Sequence, residues 1–174
     1  MLKRFILVVV SIACLSGAGR AEPNAVFLTA STAPLSNPHD LKLSPDGRHL
    51  FVSDVGNNRV AILDADTLEL KGAFGADHQS GTHDVDFDGQ GQVYVADTHN
   101  NRVTIYKMDG LKARLVGELD DKIRGPEGVL VHPNGRIYVA GAWSHNVVAF
   151  DNGKPVKTLT GLSSPHDLEL GPDG

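Results

Sequence analysis

Apolar residues in this chain gather in short runs, each closed by Gly, Asp, Asn or Pro. Runs such as "DLKL" (40–43) and "GVLV" (128–131) lead into "SPDG", "DGQG" or "HPNG". These residue types supply positive φ or close a turn with a side chain. A β-branched and aromatic run follows: "LFVS" (50–53), "VYVA" (93–96) or "IYVA" (137–140), which suits a pleated, packed strand. A loop of Asp, Asn and Gly then leads to "RVAIL" (59–63), "RVTIY" (102–106) or "NVVAF" (146–150). A fourth strand fits "ELKGAF" (69–74), "KARLVGEL" (112–119) and "PVKTLT" (155–160). The second strand is apolar or small on both faces, as expected for a sheet packed between two others. No window carries a sustained period of 3.6 residues, so the pattern predicts an all-β chain.

The four-strand unit repeats. "PHD" at Pro38 returns as "THD" at Thr82, "PEG" at Pro126 and "PHD" at Pro165. His39 to His83 is 44 residues, His83 to Glu127 is 44, and Glu127 to His166 is 39. A period near 40 in an all-strand pattern predicts a β-propeller of four-stranded blades. Blades are expected over about 37–80, 81–124 and 125–163, with the inner strand of a fourth over 164–174.

The copies resemble NHL repeats, with "GQVYVADTHNNRVTIY" nearest to that pattern. "SPDGRHLFVSDVGNNRVAILDADT" is also similar to the related YVTN-type bacterial propeller repeat. The resemblance covers residues 37–174 and implies an NHL-type propeller, six-bladed when complete. Six blades need about 250 residues, so about three blades and one inner strand are expected here, as part of a longer protein. "AVFLTA" (25–30) is then expected to be an outer strand closing the ring, within an N-terminal segment 22–36.

The N-terminus changes the compartment. Lys3 and Arg4 precede the apolar run "FILVVVSIACL", and "SGAGRA" follows it. This order describes a secretory signal peptide over 1–21, cleaved after Ala21 or after Ala18. The run is too short to span a bilayer. Cys14, the only cysteine, would be lipidated in a lipoprotein, but Ser11 stands where such a signal wants an aliphatic residue. The mature chain is therefore expected to be periplasmic or extracellular, with no disulfide. Removing 1–21 takes away Lys3, Arg4 and Arg20 and no acid, moving the formal charge from −5 to −8. An acidic chain without a basic cluster argues against nucleic acid and against an anionic membrane surface.

In an up-and-down blade, the turns entering the inner strand and those between the second and third strands share one face. His39, His83, Glu127 and His166 therefore gather at one mouth of the central channel, ringed by "DVGNNR", "DTHNNR" and "GAWSHN". His49 and His132 belong to the opposite face. Three imidazoles and a carboxylate suit a divalent metal, zinc above all, with one position open. The competing reading is that these histidines shape turns. Asp54 with Arg59, and Asp97 with Arg102, share one spacing and read as loop ties. The third copy has Gly141 and Asn146 in their places and presents Trp143 and His145. These two are a candidate ligand platform, although Trp143 equally fits as a cover for its own blade. His99 reads as a solvated loop residue.

Among NHL-type propellers, the lyase domain of peptide-amidating enzymes resembles this chain at His39, His83 and His166. It binds zinc through histidines at inner-strand starts that read like "PH-x-L". The resemblance implies those three as metal ligands and extends no further, because that family's arginine and tyrosine have no counterpart placed here. Two functions are expected from these readings. One is an exported binding or scaffold module for a small molecule, peptide or protein, with Trp143, His145 and Glu127 in contact. The other is a metal-dependent lyase or hydrolase.

Overall fold

The computed structural model describes residues 27–172. The signal peptide expected over 1–21, with Cys14, lies outside them. The first sheet contains β1 (Pro38–Leu43), β2 (His49–Asp54), β3 (Arg59–Asp64) and β4 (Leu70–Phe74). The second contains β5 (Thr82–Phe87), β6 (Gln92–Asp97), β7 (Arg102–Asp109) and β8 (Lys112–Leu119). The third contains β9 (Pro126–Val131), β10 (Ile137–Gly141), β11 (Asn146–Asp151) and β12 (Lys154–Thr160). Every strand pairs antiparallel with its sequence neighbour, giving three up-and-down sheets. No α-helix occurs among the described residues, and the only helical turns are 3-10 turns at Val55–Asn57 and Thr98–Asn100. These are blades of a β-propeller, with β1, β5 and β9 innermost.

Packing between blades explains why the middle strands are apolar on both faces. Phe51, Val60 and Ile62 of the first blade meet Val85, Val93, Val95 and Tyr106 of the second. One residue along β6 the side chain points the other way, and Tyr94 joins Val103 and Leu119 against Val129, Val139 and Phe150 of the third. Strand alternation thus gives each blade two cores. On the far side of the first blade, Val52, Ala61 and Leu63 pack against Ala33 and Leu35 of the entering chain.

Two expected strands are absent. In the described part of 25–30, residues 27–30 form no strand, and Phe27 and Leu28 are 81% and 88% exposed. Residues 165–170 also form none. The cause is the same in both places. A strand needs a backbone partner, and all three sheets are already complete with four strands.

The Asp–Arg pairs tie each blade to the chain entering it. Asp54 Oδ1 accepts from the Ser36 amide at 2.6 Å while Oδ2 accepts from Arg59 Nε at 2.8 Å. Arg59 Nη2 then donates to Pro34 O. In the second blade Asp97 accepts from the Ser80 amide at 2.7 Å and Arg102 Nε at 2.8 Å. Arg102 Nη2 donates to His78 O. The third blade keeps the pattern without charge. Ser144 Oγ accepts from the Arg124 amide at 3.0 Å, and Asn146 Nδ2 donates to Lys122 O at 2.8 Å. The apparent break in the sequence is thus a neutral replacement of the same bonds.

Asp97 is fully buried, so removing it strands a guanidinium edge and a backbone amide together. Asp97→Ala should cost about 3 kcal/mol of unfolding free energy by urea titration. A loss below about 0.5 kcal/mol would show that the tie is dispensable.

Candidate functional site at the channel mouth

The inner strands begin with a bulge. Pairing shifts between Pro38 and Leu41 in β1 and between Thr82 and Val85 in β5. Such a shift leaves an amide without a ladder partner, and the aspartate of "HD" takes it. Asp40 Oδ1 accepts from Leu41 N at 2.7 Å, Asp84 Oδ1 from Val85 N at 2.6 Å, and Asp167 Oδ1 from Leu168 N at 2.7 Å. The third copy has Gly128 instead. A Cβ there would lie 2.7 Å from His166 O, where the chain after β12 crosses the inner strand. Asp84 covers for the missing carboxylate, its Oδ2 accepting from Val129 N at 2.7 Å, and Asp86 Oδ2 accepts from Val131 N at the same distance. Two carboxylates of β5 thereby occupy the free inner edge of β9.

These aspartates converge. One carboxylate oxygen each from Asp40, Asp84 and Asp167 lies within 4.8 Å of the others. Burial pushes the Asp84 carboxyl up to about 7; the Asp40 and Asp167 charges add to this, and the Val129 and Val85 amides hold it back. Below this layer Lys42 Nζ meets Asp86 Oδ1 at 3.3 Å. Burial lowers the Lys42 ammonium, but Asp86, with Glu169 and Asp84 behind it, outweighs burial and raises it overall. The histidine of each "HD" marks the channel mouth in the sequence, but it is the aspartate beside it that takes the freed amide. The signal was present, because the carboxylate recurs in the same three copies as the imidazole.

The four predicted ligands form two pairs. The rings of His39 and His83 stand edge to face with centroids 4.6 Å apart. His166 Nδ1 contacts Glu127 Oε2. Among the described residues, Asp40, Asp84 and Asp167 are the only three His, Cys, Asp or Glu side chains whose nitrogen, sulfur or oxygen atoms share a 4.8 Å neighbourhood, so no three members of the His/Glu set meet. His83 does have a fixed orientation. Its Nδ1 lies 2.9 Å from Gly81 O and 2.8 Å from Thr98 Oγ1. A carbonyl only accepts, and the Thr98 hydroxyl donates to Pro126 O at 2.6 Å. Nδ1 therefore carries the proton, and Nε2 keeps its lone pair.

His145 has a structural duty. It stands at φ 52°, where Asn58 has 53° and Asn101 56°. Each of these left-handed residues accepts from the chain entering the next blade. Asn58 Oδ1 takes Gly81 N, Asn101 Oδ1 takes Gly125 N, and His145 Nδ1 takes Ser164 N at 3.2 Å. Asn is the usual non-glycine residue in this conformation, and the imidazole reproduces its bond. Trp143 remains 49% exposed, stacks on His99 at 5.8 Å and 19°, and lies over Gly125. A Cβ on Gly125 would run into the indole. His99 is exposed but serves as the other half of this stack. His49 and His132 sit at the start of β2 and in the β9–β10 turn, on the opposite face.

Residues 35–63 and 83–106 match the NHL repeat model. This β-propeller chain carries NHL repeats in its first two blades. No curated protein matches it. Among solved structures the NHL chain is similar to hydrazine synthase of Kuenenia stuttgartiensis, at 23% identity and TM-score 0.68, over 86% of this chain and 43% of that one. It is similar to the periplasmic gluconolactonase PpgL of Pseudomonas aeruginosa, at 20% identity and TM-score 0.63, over 78% and 43%. It is also similar to the WD40 β-propeller domain of Doa1, at 13% identity and TM-score 0.59, over 71% and 40%. The NHL chain thus spans less than half the length of each. At these identities the likeness shows the fold alone, and the resemblance to the amidating lyase rests only on three histidines.

The Asp84 carboxyl gives a sign to test. Burial pushes it up to about 7 from an ordinary carboxyl value of 3.8, so between those values the folded state holds a proton that the unfolded state has lost. The stability it contributes is complete below the lower value and is lost as pH climbs to the upper one. Urea unfolding of wild type and Asp84→Asn across this window should show the wild type losing ground to the variant. A constant difference would mean that Asp84 ionises in place like an exposed carboxylate.

Proposed function

We propose that this chain is part of an exported binding module. Its channel mouth takes a small molecule, peptide or protein segment that carries a cationic group. The observation that carries this reading is the exposed Trp143–His99 stack at the rim of the mouth. An aromatic left half-exposed beside a concave opening is a ready contact surface. The lining beyond it supports the charge. Asp40, Asp84, Asp86 and Glu127 on the inner strands, with Asp167 and Glu169 on the chain that crosses β9, stand against a single lysine, Lys42. No helix of the described residues is long and apolar enough to cross a membrane.

A second reading, zinc held by His39 and His83, is favoured by the free Nε2 of His83 beside the His39 ring. It supplies two imidazoles where a zinc lyase or hydrolase needs three protein ligands. Glu127 is engaged by His166 instead. The binding module is therefore the better-supported reading, and lyase or hydrolase chemistry has the weaker basis.

Trp143 is the only tryptophan, so its emission reports from the mouth itself. Titrating the full chain with a short lysine-rich peptide should change that emission saturably, while a glutamate-rich peptide of equal length should not. By calorimetry, Trp143→Ala should weaken binding about tenfold, equivalent to ~1.4 kcal/mol, and His132→Ala should leave it unchanged. An equal response to both peptides would remove the charge argument, and no response to either would remove the mouth as the site. Heat uptake with zinc chloride that disappears in His83→Ala would favour the second reading.

A further inference from the structure

We propose that the opposite face carries a second site, in which the cleft between the second and third blades binds a neutral saccharide of one or two rings. The cleft has a volume of about 730 Å³, within the range that encloses a small ligand. It opens where the β5–β6 turn faces the β9–β10 and β11–β12 turns. Gly89, Gly135 and Gly153 lie in the turns at its edge, and a Cβ on any of them would meet nothing within 4 Å. Phe87, Tyr94, Ile105 and Val131 form apolar walls, and Gln90, Gln92, His132 and Asn152 supply polar groups between them.

The hydrogen-bond inventory decides the ligand class. Asp88 is the one acidic side chain in the lining, and its carboxylate is already engaged. Oδ1 accepts from the amides of Gln90 and Gln92, and Oδ2 accepts from Gln92 Nε2. What remains is neutral. Gln92 keeps its Oε1 as an acceptor. His132 Nδ1 accepts from Asn134 N, so Nε2 carries the proton and donates. Asn152 Nδ2 is turned to Asp151, which leaves Oδ1 to accept. The Gln90 amide makes no side-chain hydrogen bond among the described residues and offers both a donor and an acceptor.

An anionic ligand would meet Asp88 with no lysine or arginine in the lining to offset it. A cation would find both oxygens of that carboxylate already accepting hydrogen bonds and no second acid in the lining. A purely apolar molecule would leave amide groups buried without partners, which costs free energy. A sugar ring avoids all three difficulties, because its C–H face packs on the half-buried Ile105 and Val131 while its hydroxyls both donate and accept.

The test is calorimetry on the full chain with maltose, cellobiose and sucrose, and with glucose 6-phosphate as the charged comparison. At least one neutral disaccharide should bind saturably. Gly89→Phe, which places a bulky ring on the β5–β6 turn that lines the cleft, at a position of ordinary φ, should weaken that binding at least about tenfold, and Trp143→Ala at the mouth should not. Gln90→Ala removes no internal side-chain bond and should weaken binding several-fold, which keeps the test decisive if Gly89→Phe fails to fold. Absence of saturable binding below about 10 mM for every neutral disaccharide would overturn the proposal. So would unchanged affinity in both cleft variants, or a preference for glucose 6-phosphate.

Discussion

A four-stranded blade has an inner edge, and the backbone amides on that edge need acceptors. Here side-chain carboxylates provide them. Asp84 and Asp86 of β5 take the amides of Val129 and Val131 on β9, so neighbouring blades are joined at the axis by side-chain carboxyl hydrogen bonds. The apolar contacts between sheets are broad and tolerate sliding, whereas these bonds are directional. They fix how far one inner strand is advanced along the next. The positions of the mouth histidines and the rim loops follow from that register.

The second constraint lies one layer out. Each blade must be held to the chain that enters it, and the same geometry is met by two chemistries. A buried Asp–Arg pair does this in the first two blades, and Ser144 with Asn146 does it in the third. The left-handed loop residue is exchanged in the same way, Asn58 and Asn101 giving way to His145. Exchanges of this kind let the third blade present Trp143 at the rim without loss of its fold. They also change what a histidine there signifies, because the Nδ1 of His145 is committed to Ser164 N.

Much of the architecture was legible from the chain. The strand runs, the period near 40 and the Gly-bearing turns place all twelve strands, because alternation and turn chemistry act locally. The tie between Asp97 and Arg102 was legible for the same reason, since five residues across one loop bring the two groups together. The segments expected as strands over 25–30 and 164–174 are unpaired in their described parts, 27–30 and 164–172, because pairing is not local, and nothing in "AVFLTA" or "PHDLEL" says whether a partner stands alongside. The site was the least legible part. Spacing put His39, His83, Glu127 and His166 at one mouth, but strand bulges and the crossing chain sort them into two pairs. Neither the bulge nor the close approach at Gly128 is written in the spacing. The aspartate of "HD" recurs with the histidine, but its role follows from the strand bulge that frees an amide beside it.

If carboxylates satisfy the inner edge, the amides they cap should behave as members of a sheet. Hydrogen exchange of individual amides in the full chain measures this directly. Val129 and Val131 should exchange as slowly as Val139 in the middle of the same blade, although no strand pairs with them on the channel side. Exchange at the rate of turn amides such as Gly135 would contradict the account, because the inner strands would then be held by apolar packing alone.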